Sequence, residues 1–268
     1  MRRIFPVGLA VAFALAGCAT SHAPRGDGPA PDDNVNAVAW TQTSVEHDLI
    51  YRELFQLAGE RLAEALADPP WDALAPGDRD RDIAGLPPAV IVDVDETVLD
   101  NMPYQARLLR DGARYDSASW AAWCEERAAT ALPGAVDFAQ RAARAGVTVF
   151  YVTNRAASLR DATLDNLRAT GFPVEAEAPV YLGQDFPVEG CEPAGRSDKS
   201  CRRRFVGRGY RVLLQVGDQL GDFLETAATS PAARRAAAAP HADWFGQRWL
   251  LLPNPTYGNW ESALFDGD

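Results

Sequence analysis

Five short apolar runs punctuate the chain: "AVIV" (89–92), "VTVFYV" (147–152), "PVYL" (179–182), "RVLLQV" (211–216) and "RWLLL" (248–252). A strand with one wet face alternates apolar and polar residues, whereas continuous runs like these fit strands covered on both sides. Helical patterns lie between them, including "GAVDFAQRAARAG" (134–146) and "ASLRDATLDNLRATG" (157–171), each closed by a glycine where a helix ends. The pattern predicts an α/β fold, a doubly wound parallel sheet with helices on both faces. At 268 residues and 47% hydrophobic the chain can bury a full core, so one main domain with a smaller helical accessory region is expected. From Trp40 to Ala67 the helical spacing is unbroken, which predicts one long helix, with Thr43 and Glu46 in capping-box spacing.

In open α/β sheets, sites form beyond the carboxyl ends of the strands, so the residues after each run carry the chemistry. "AVIV" is followed by Asp93 and Asp95, "VTVFYV" by Thr153, Asn154 and Arg155, and "RVLLQV" by Gly217, Asp218 and then Asp222. Period two puts Asp93 and Asp95 on one side of an extended chain, and a helical turn would give Asp218 and Asp222 a common face. Four carboxylates meeting in one pocket repel, each close pair by about 4 kcal/mol at about 4 Å in an effective dielectric of about 20. A divalent cation relieves that repulsion. Mg²⁺ suits hard oxygen ligands best, commonly taking one or two carboxylates plus a substrate phosphate. Carboxylate nucleophile, charge-neutralising metal and second carboxylate as acid/base together describe phosphoryl transfer through an aspartyl-phosphate.

The net charge of −11 opposes nucleic-acid binding but leaves a small anionic substrate possible at short range. Residues 1–17 read as an export signal: Arg2 and Arg3 precede an apolar run from Ile4 to Ala16, too short to span a bilayer. "ALA" (14–16) fits ordinary cleavage, while "LAGC" (15–18) resembles a lipobox and is the favoured reading, making Cys18 the lipidated first residue of the mature chain. Residues 18–37 then form a proline- and glycine-rich tether, and 38–268 the domain, with helical accessory segments at about 40–85 and 102–132. Cys191 and Cys201 share one segment, and an oxidising compartment permits a bond between them. Cys124, among apolar neighbours, reads as a buried structural thiol.

"DVDET", "TNR", "SDK" and "GDQLGDF" stand in the order of the four motifs of the haloacid dehalogenase superfamily, which they resemble. "DVDETVLDNMPY", "PGAVDF", "VFYVTNR" and "LLPNPTYGNW" resemble the class C, DDDD-type acid phosphatases, bacterial outer-membrane lipoproteins that hydrolyse 5′-nucleotides and other phosphomonoesters. The likeness runs from about Trp40 to Trp260. It implies a haloacid dehalogenase-like Rossmannoid core, Asp93 as nucleophile and Asp95 as the acid that protonates the leaving oxygen and then activates water. It further implies Mg²⁺ held by Asp93, the backbone carbonyl of Asp95 and Asp218, with Asp222 ordering metal-bound water. Thr153 and Asn154 would bond the phosphoryl group and Lys199 offset its charge. Trp120 and Tyr257 would hold the base of a nucleoside monophosphate, while Trp123, three residues from Trp120, reads as core. A homodimer, and a place at the outer membrane or cell surface, facing the periplasm in one arrangement, follow from the same likeness. The segment "PVEGCEPAGR" (187–196) departs from the family pattern. Two alternatives stand beside hydrolysis: phosphoryl transfer to an alcohol acceptor, and a non-catalytic surface lipoprotein that binds nucleotides.

Overall fold

The computed structural model describes residues 33–174, 179–193, 195, 197–225 and 230–264. The export segment, Cys18 and the tether up to residue 32 lie outside the described residues. In chain order the elements are α1 (Val35–Thr43), α2 (Val45–Ala67), β1 (Pro88–Val92), β2 (Leu99–Asp100), α3 (Met102–Asp111), α4 (Ser117–Glu126), β3 (Thr130–Ala131), α5 (Ala135–Arg144) and β4 (Thr148–Val152). There follow α6 (Arg160–Ala169), β5 (Tyr181–Leu182), α7 (Ser200–Gly209), β6 (Arg211–Gly217), α8 (Pro231–Ala238), β7 (Trp249–Leu251) and α9 (Asn259–Ser262). Among the described residues no helix is long and apolar enough to cross a membrane.

The long helix expected from Trp40 to Ala67 is two helices, corrected by Ser44. Ser44 is extended (φ −83°, ψ 135°) and its hydroxyl accepts from the His47 amide at 3.1 Å, capping α2. Thr43 does not cap: its hydroxyl turns back into α1 and donates to the Ala39 carbonyl at 2.6 Å. Helix α1 begins at Val35, inside the stretch assigned to the tether, and buries Val38 and Thr41. The accessory region contains α3 and α4, and a short antiparallel β2–β3 ladder at its base that the sequence pattern did not reveal.

The main sheet is parallel throughout, in the order β5-β4-β1-β6-β7. After β5 the chain returns to the other side of β1, so the topological switch lies between β1 and β6. Val92 pairs with Tyr151 on β4 and with Val216 on β6, which ends the three strands level with one another. Both sheet faces are apolar, as the continuous runs predict. Val90, Val92, Val149 and Tyr151 enter one core with Tyr51, Phe55 and Phe138 of α2 and α5. Ala89, Ile91, Phe150 and Val152 enter the other with Val206 of α7, Phe223 and Trp249. Trp123 is buried in the first core, as expected.

Candidate active site

The level strand ends set Asp93 beside the start of the β6 loop, its amide still bonded to the Val216 carbonyl at 2.9 Å. One oxygen each from Asp93, Asp218 and Asp222 lie within 4.8 Å of one another. Asp222 reaches this point because Leu220–Asp222 form a 3₁₀ turn that folds back over the strand end. Its carboxylate lies where a Cβ at Gly217 would be, so the strand must end on glycine. The Asp222 oxygens accept from the Gln219 amide at 2.8 Å and from the Lys199 ammonium at 2.6 Å. Lys199 also donates to Asp93 at 2.5 Å. Asp218 accepts from the side-chain amides of Asn254 at 2.7 Å and Gln219 at 2.9 Å.

Burial dominates the protonation of this cluster. Asp93 is held well above the usual carboxylate range by burial, which Lys199 opposes and Asp222, Asp218 and Asp95 reinforce. Burial, then Asp222, pushes Asp218 up to about 7. Burial pulls Lys199 down, but Asp222 and Asp93 outweigh it, and the ammonium is stabilised. Three carboxylates and one ammonium leave two negative charges when all are ionised. An oxygen-only donor set with that deficit fits a hard divalent cation.

The Asp95 carboxylate stands outside this cluster. It accepts from Asn101 Nδ2 at 2.9 Å and Arg155 Nε at 2.9 Å, with the Thr153 hydroxyl 3.4 Å away. The nearest charge to Asp95 is thus the Arg155 guanidinium rather than another carboxylate. Arg155 also donates to Thr163 and Asn101, and Asn101 accepts from the Trp123 indole at 2.8 Å. Glu96, the third acid of "DVDET", joins neither group: at φ 54° it braces the turn, its carboxylate accepting from the Asn101 amide and its carbonyl from Tyr51. Asn154 is exposed, and its side chain links to the Ser197 carbonyl at 3.2 Å and to Arg202 at 2.8 Å.

Trp120 lies on the Asp95 side, its ring centroid 5.5 Å from the Arg155 guanidinium and flanked by Tyr104 and Tyr115. Tyr257 is tied to the loop after β6 by Gln219, whose amide donates to the Tyr257 carbonyl at 3.2 Å. Gly258, at φ 137°, lets the loop close on that amide, since a Cβ there would overlap it. Cys191 and Cys201 are bonded, with Cα atoms 5.6 Å apart. Cys124 is buried, its thiol pushed up to about 12 by burial. Asn101, Arg155, Arg202, Arg203, Gln219 and Asn254 carry the rest of the network. Asn101, Arg155, Gln219 and Asn254 sit within quoted motifs, the signal that pointed at them without assigning these contacts, while no quoted motif contains Arg202 or Arg203.

The profile of the family described as "HAD superfamily, subfamily IIIB (Acid phosphatase)" matches residues 30–260. The chain belongs to this family. The class C acid phosphatase from Bacillus anthracis is 32% identical and superposes with a TM-score of 0.74, over 88% of this chain and 89% of that one. The same enzyme with tungstate bound gives 31% and 0.73. Acid phosphatase 1 of Solanum lycopersicum is 28% identical over 171 residues, 62% of this chain and 57% of the relative. Vegetative storage protein 2 of Arabidopsis thaliana is 25% identical over 142 residues, 50% of this chain and 49% of that protein. The chain thus spans about half the length of the curated relatives it matches. Acid phosphatases of the haloacid dehalogenase superfamily use a divalent metal, and the Asp93, Asp218 and Asp222 cluster offers the oxygens to hold one.

Proposed function

We propose that this family member hydrolyses phosphomonoesters, 5′-nucleotides among them, in a Mg²⁺-dependent reaction through a phosphorylated Asp93. The observation that carries the reading is the division of the four aspartates. Asp93 sits with Asp218, Asp222 and Lys199, while Asp95 is held apart by Arg155 and Asn101. That division suits two different tasks at one sheet edge.

An Asp93 oxygen attacks phosphorus, and the bond from phosphorus to the ester oxygen breaks. Protonated Asp95 gives its proton to that oxygen, and the alcohol leaves. Asp95, now a carboxylate, takes a proton from water; the water oxygen bonds to phosphorus and Asp93 is released. Lys199 draws Asp93 toward the ionised form that attack needs. The Lys199 ammonium and Thr153 hydroxyl meet charge on the phosphoryl oxygens, where positioning and electrostatics supply most of the catalysis. Mg²⁺, held by Asp93, the Asp95 carbonyl and Asp218, would supply charge neutralisation at the phosphate. Asp222 keeps Lys199 and Gln219 in place. Trp120 and Tyr257 would receive a nucleobase, with stacking worth about 1–3 kcal/mol for each base. Tungstate, a tetrahedral oxyanion, is bound by the Bacillus anthracis relative, a precedent for a phosphate-shaped subsite.

The test is phosphate release from a panel of nucleoside monophosphates and sugar phosphates, with Mg²⁺ and with chelator. Turnover is expected with the metal and lost without it. Asp93→Asn is expected to abolish turnover while keeping nucleotide binding, and a metal-loaded wild type inert toward every phosphomonoester would overturn the reading. Product analysis with added nucleoside separates hydrolysis from phosphoryl transfer. The same proposal includes export and lipidation at Cys18, read by radiolabelled palmitate incorporation, and a homodimer, read by light scattering.

A further inference from the structure

Three of the five consecutive residues 199–203, at the start of α7, reach the loops after three different strands. Lys199 holds Asp93 after β1 and Asp222 after β6. Arg202 donates to the Thr153 carbonyl and to Asn154 Oδ1 at 2.8 Å, both after β4. Arg203 donates to the Gly221 carbonyl at 2.9 Å and the Asp222 carbonyl at 3.3 Å. Both arginines are buried, and each donates to at least one backbone carbonyl of the loops that carry the site.

Locally the Asp198 carboxylate accepts from the Ser200 amide at 2.9 Å and the Ser200 hydroxyl at 2.7 Å, bonds that do not tie the turn to the sheet. The helix reads "SCRRRFVGRG", with two glycines and a β-branched valine in ten residues, a poor helix former by propensity. Its placement comes from two tertiary ties. On one side Cys201 is bonded to Cys191, in a segment anchored by buried Val188 and by Arg208 donating to the Glu189 carbonyl at 2.7 Å. On the other, Arg203 donates to the buried Asp78 carboxylate at 2.6 Å.

We propose that the Cys191–Cys201 bridge and the Arg203–Asp78 pair are positioning elements of the phosphoryl-transfer site, holding the first turn of α7 as a clamp across the loops after β1, β4 and β6. The kinetic part rests on the phosphatase reading above. Opening the bridge frees one side of the clamp: a dithiol reductant delivers two electrons and two protons, becomes its own disulfide, and leaves thiols on Cys191 and Cys201. Lys199 then loses its fixed relation to Asp93, and the Thr153 loop loses the anchor supplied by Arg202. Displacements of this kind act on the transition state more than on substrate affinity.

The experiment compares the full chain, the same protein after reduction and reoxidation, the Cys191→Ser/Cys201→Ser double variant, and Asp78→Asn. Two readouts are taken: hydrogen exchange in peptides covering 153–155 and 218–222, and kcat and KM on p-nitrophenyl phosphate with Mg²⁺. Breaking the bridge is expected to speed exchange in both peptides and to lower kcat about tenfold to a hundredfold, with KM nearly constant and reoxidation restoring both. Asp78→Asn is expected to speed exchange chiefly in 218–222; if it does not fold, the bridge variants decide alone. The proposal is overturned if the bridge-free protein changes exchange only around 187–199, or melts lower yet keeps the kcat of the wild type. A wild type without turnover defeats the phosphatase reading only, and the exchange readout still decides the clamp.

Discussion

At position 217 any side chain would overlap the Asp222 carboxylate, which folds back over the end of β6 to meet Lys199 and the Gln219 amide. Gly217→Ala is therefore expected to push Asp222 aside and disturb the Lys199–Asp93 contact. Because kcat depends on such placement, a fall of about tenfold to a hundredfold is expected, with the far-ultraviolet circular dichroism of a folded protein; steady-state kinetics check it. The four aspartates, Thr153 and Lys199 were legible because each follows a strand-like run or lies in an ordered motif. Arg155 was marked in the same way, after "VTVFYV" and in "TNR", though its hold on Asp95 was not; Arg202 and Arg203 were not legible. A charged residue reads as surface by default, and these are buried because acceptors from distant loops, such as the Thr153 and Gly221 carbonyls, surround them. Glu96 was legible as acidic yet not as a turn brace, since its role depends on a positive φ and on Asn101 and Tyr51 reaching it.

At the scale of elements, the five runs became the five strands of the main sheet, and glycines 146 and 171 follow α5 and α6 with positive φ. What the pattern missed were places where local chemistry or tertiary bonds outweigh periodicity. The apolar spacing runs straight through Ser44, yet the chain breaks there because the serine hydroxyl satisfies the His47 amide. Helix α7 was invisible because two of its buried positions, Arg202 and Arg203, are charged, which leaves Cys201 and Val206 too sparse an apolar pattern to show a helical period. Ser44→Ala removes the cap of α2, and a loss of about 1 kcal/mol is expected. Urea denaturation should show it as a lower midpoint with an unchanged slope. Activity should be retained, because Tyr51, the α2 residue that bonds the "DVDET" turn, is held by its own bonds to the Glu96 and Pro253 carbonyls. A lower kcat in Ser44→Ala would show instead that the α1–α2 break sets the geometry of the "DVDET" turn.

For the whole molecule, the switch between β1 and β6 places buried carboxylates at one edge of the sheet, and their protonation ties stability to pH and to metal. Asp218 titrates near about 7 in the metal-free fold because of burial and then Asp222, and Asp93 is raised in the same direction. An aspartate in the unfolded chain titrates near about 3.9. The sign follows from linkage: a raised folded value favours the native state fully below the unfolded value, and that contribution is lost as pH rises from about 4 to about 7. Without metal, these two groups should therefore lower the melting temperature over that interval. A divalent cation takes the place of the protons, so its effect should grow as they leave. Saturation at about a hundred times Kd stabilises by about 2.7 kcal/mol. For a domain of about 150–250 residues that corresponds to a rise of about 5–10 °C. Melting scans with and without Mg²⁺ should thus show a large shift at pH 7.5 and a small one at pH 5. Asp218→Asn should flatten the difference, since it removes a ligand and a titrating group together. Equal shifts at both pH values would mean that the cation binds away from the Asp93, Asp218 and Asp222 cluster.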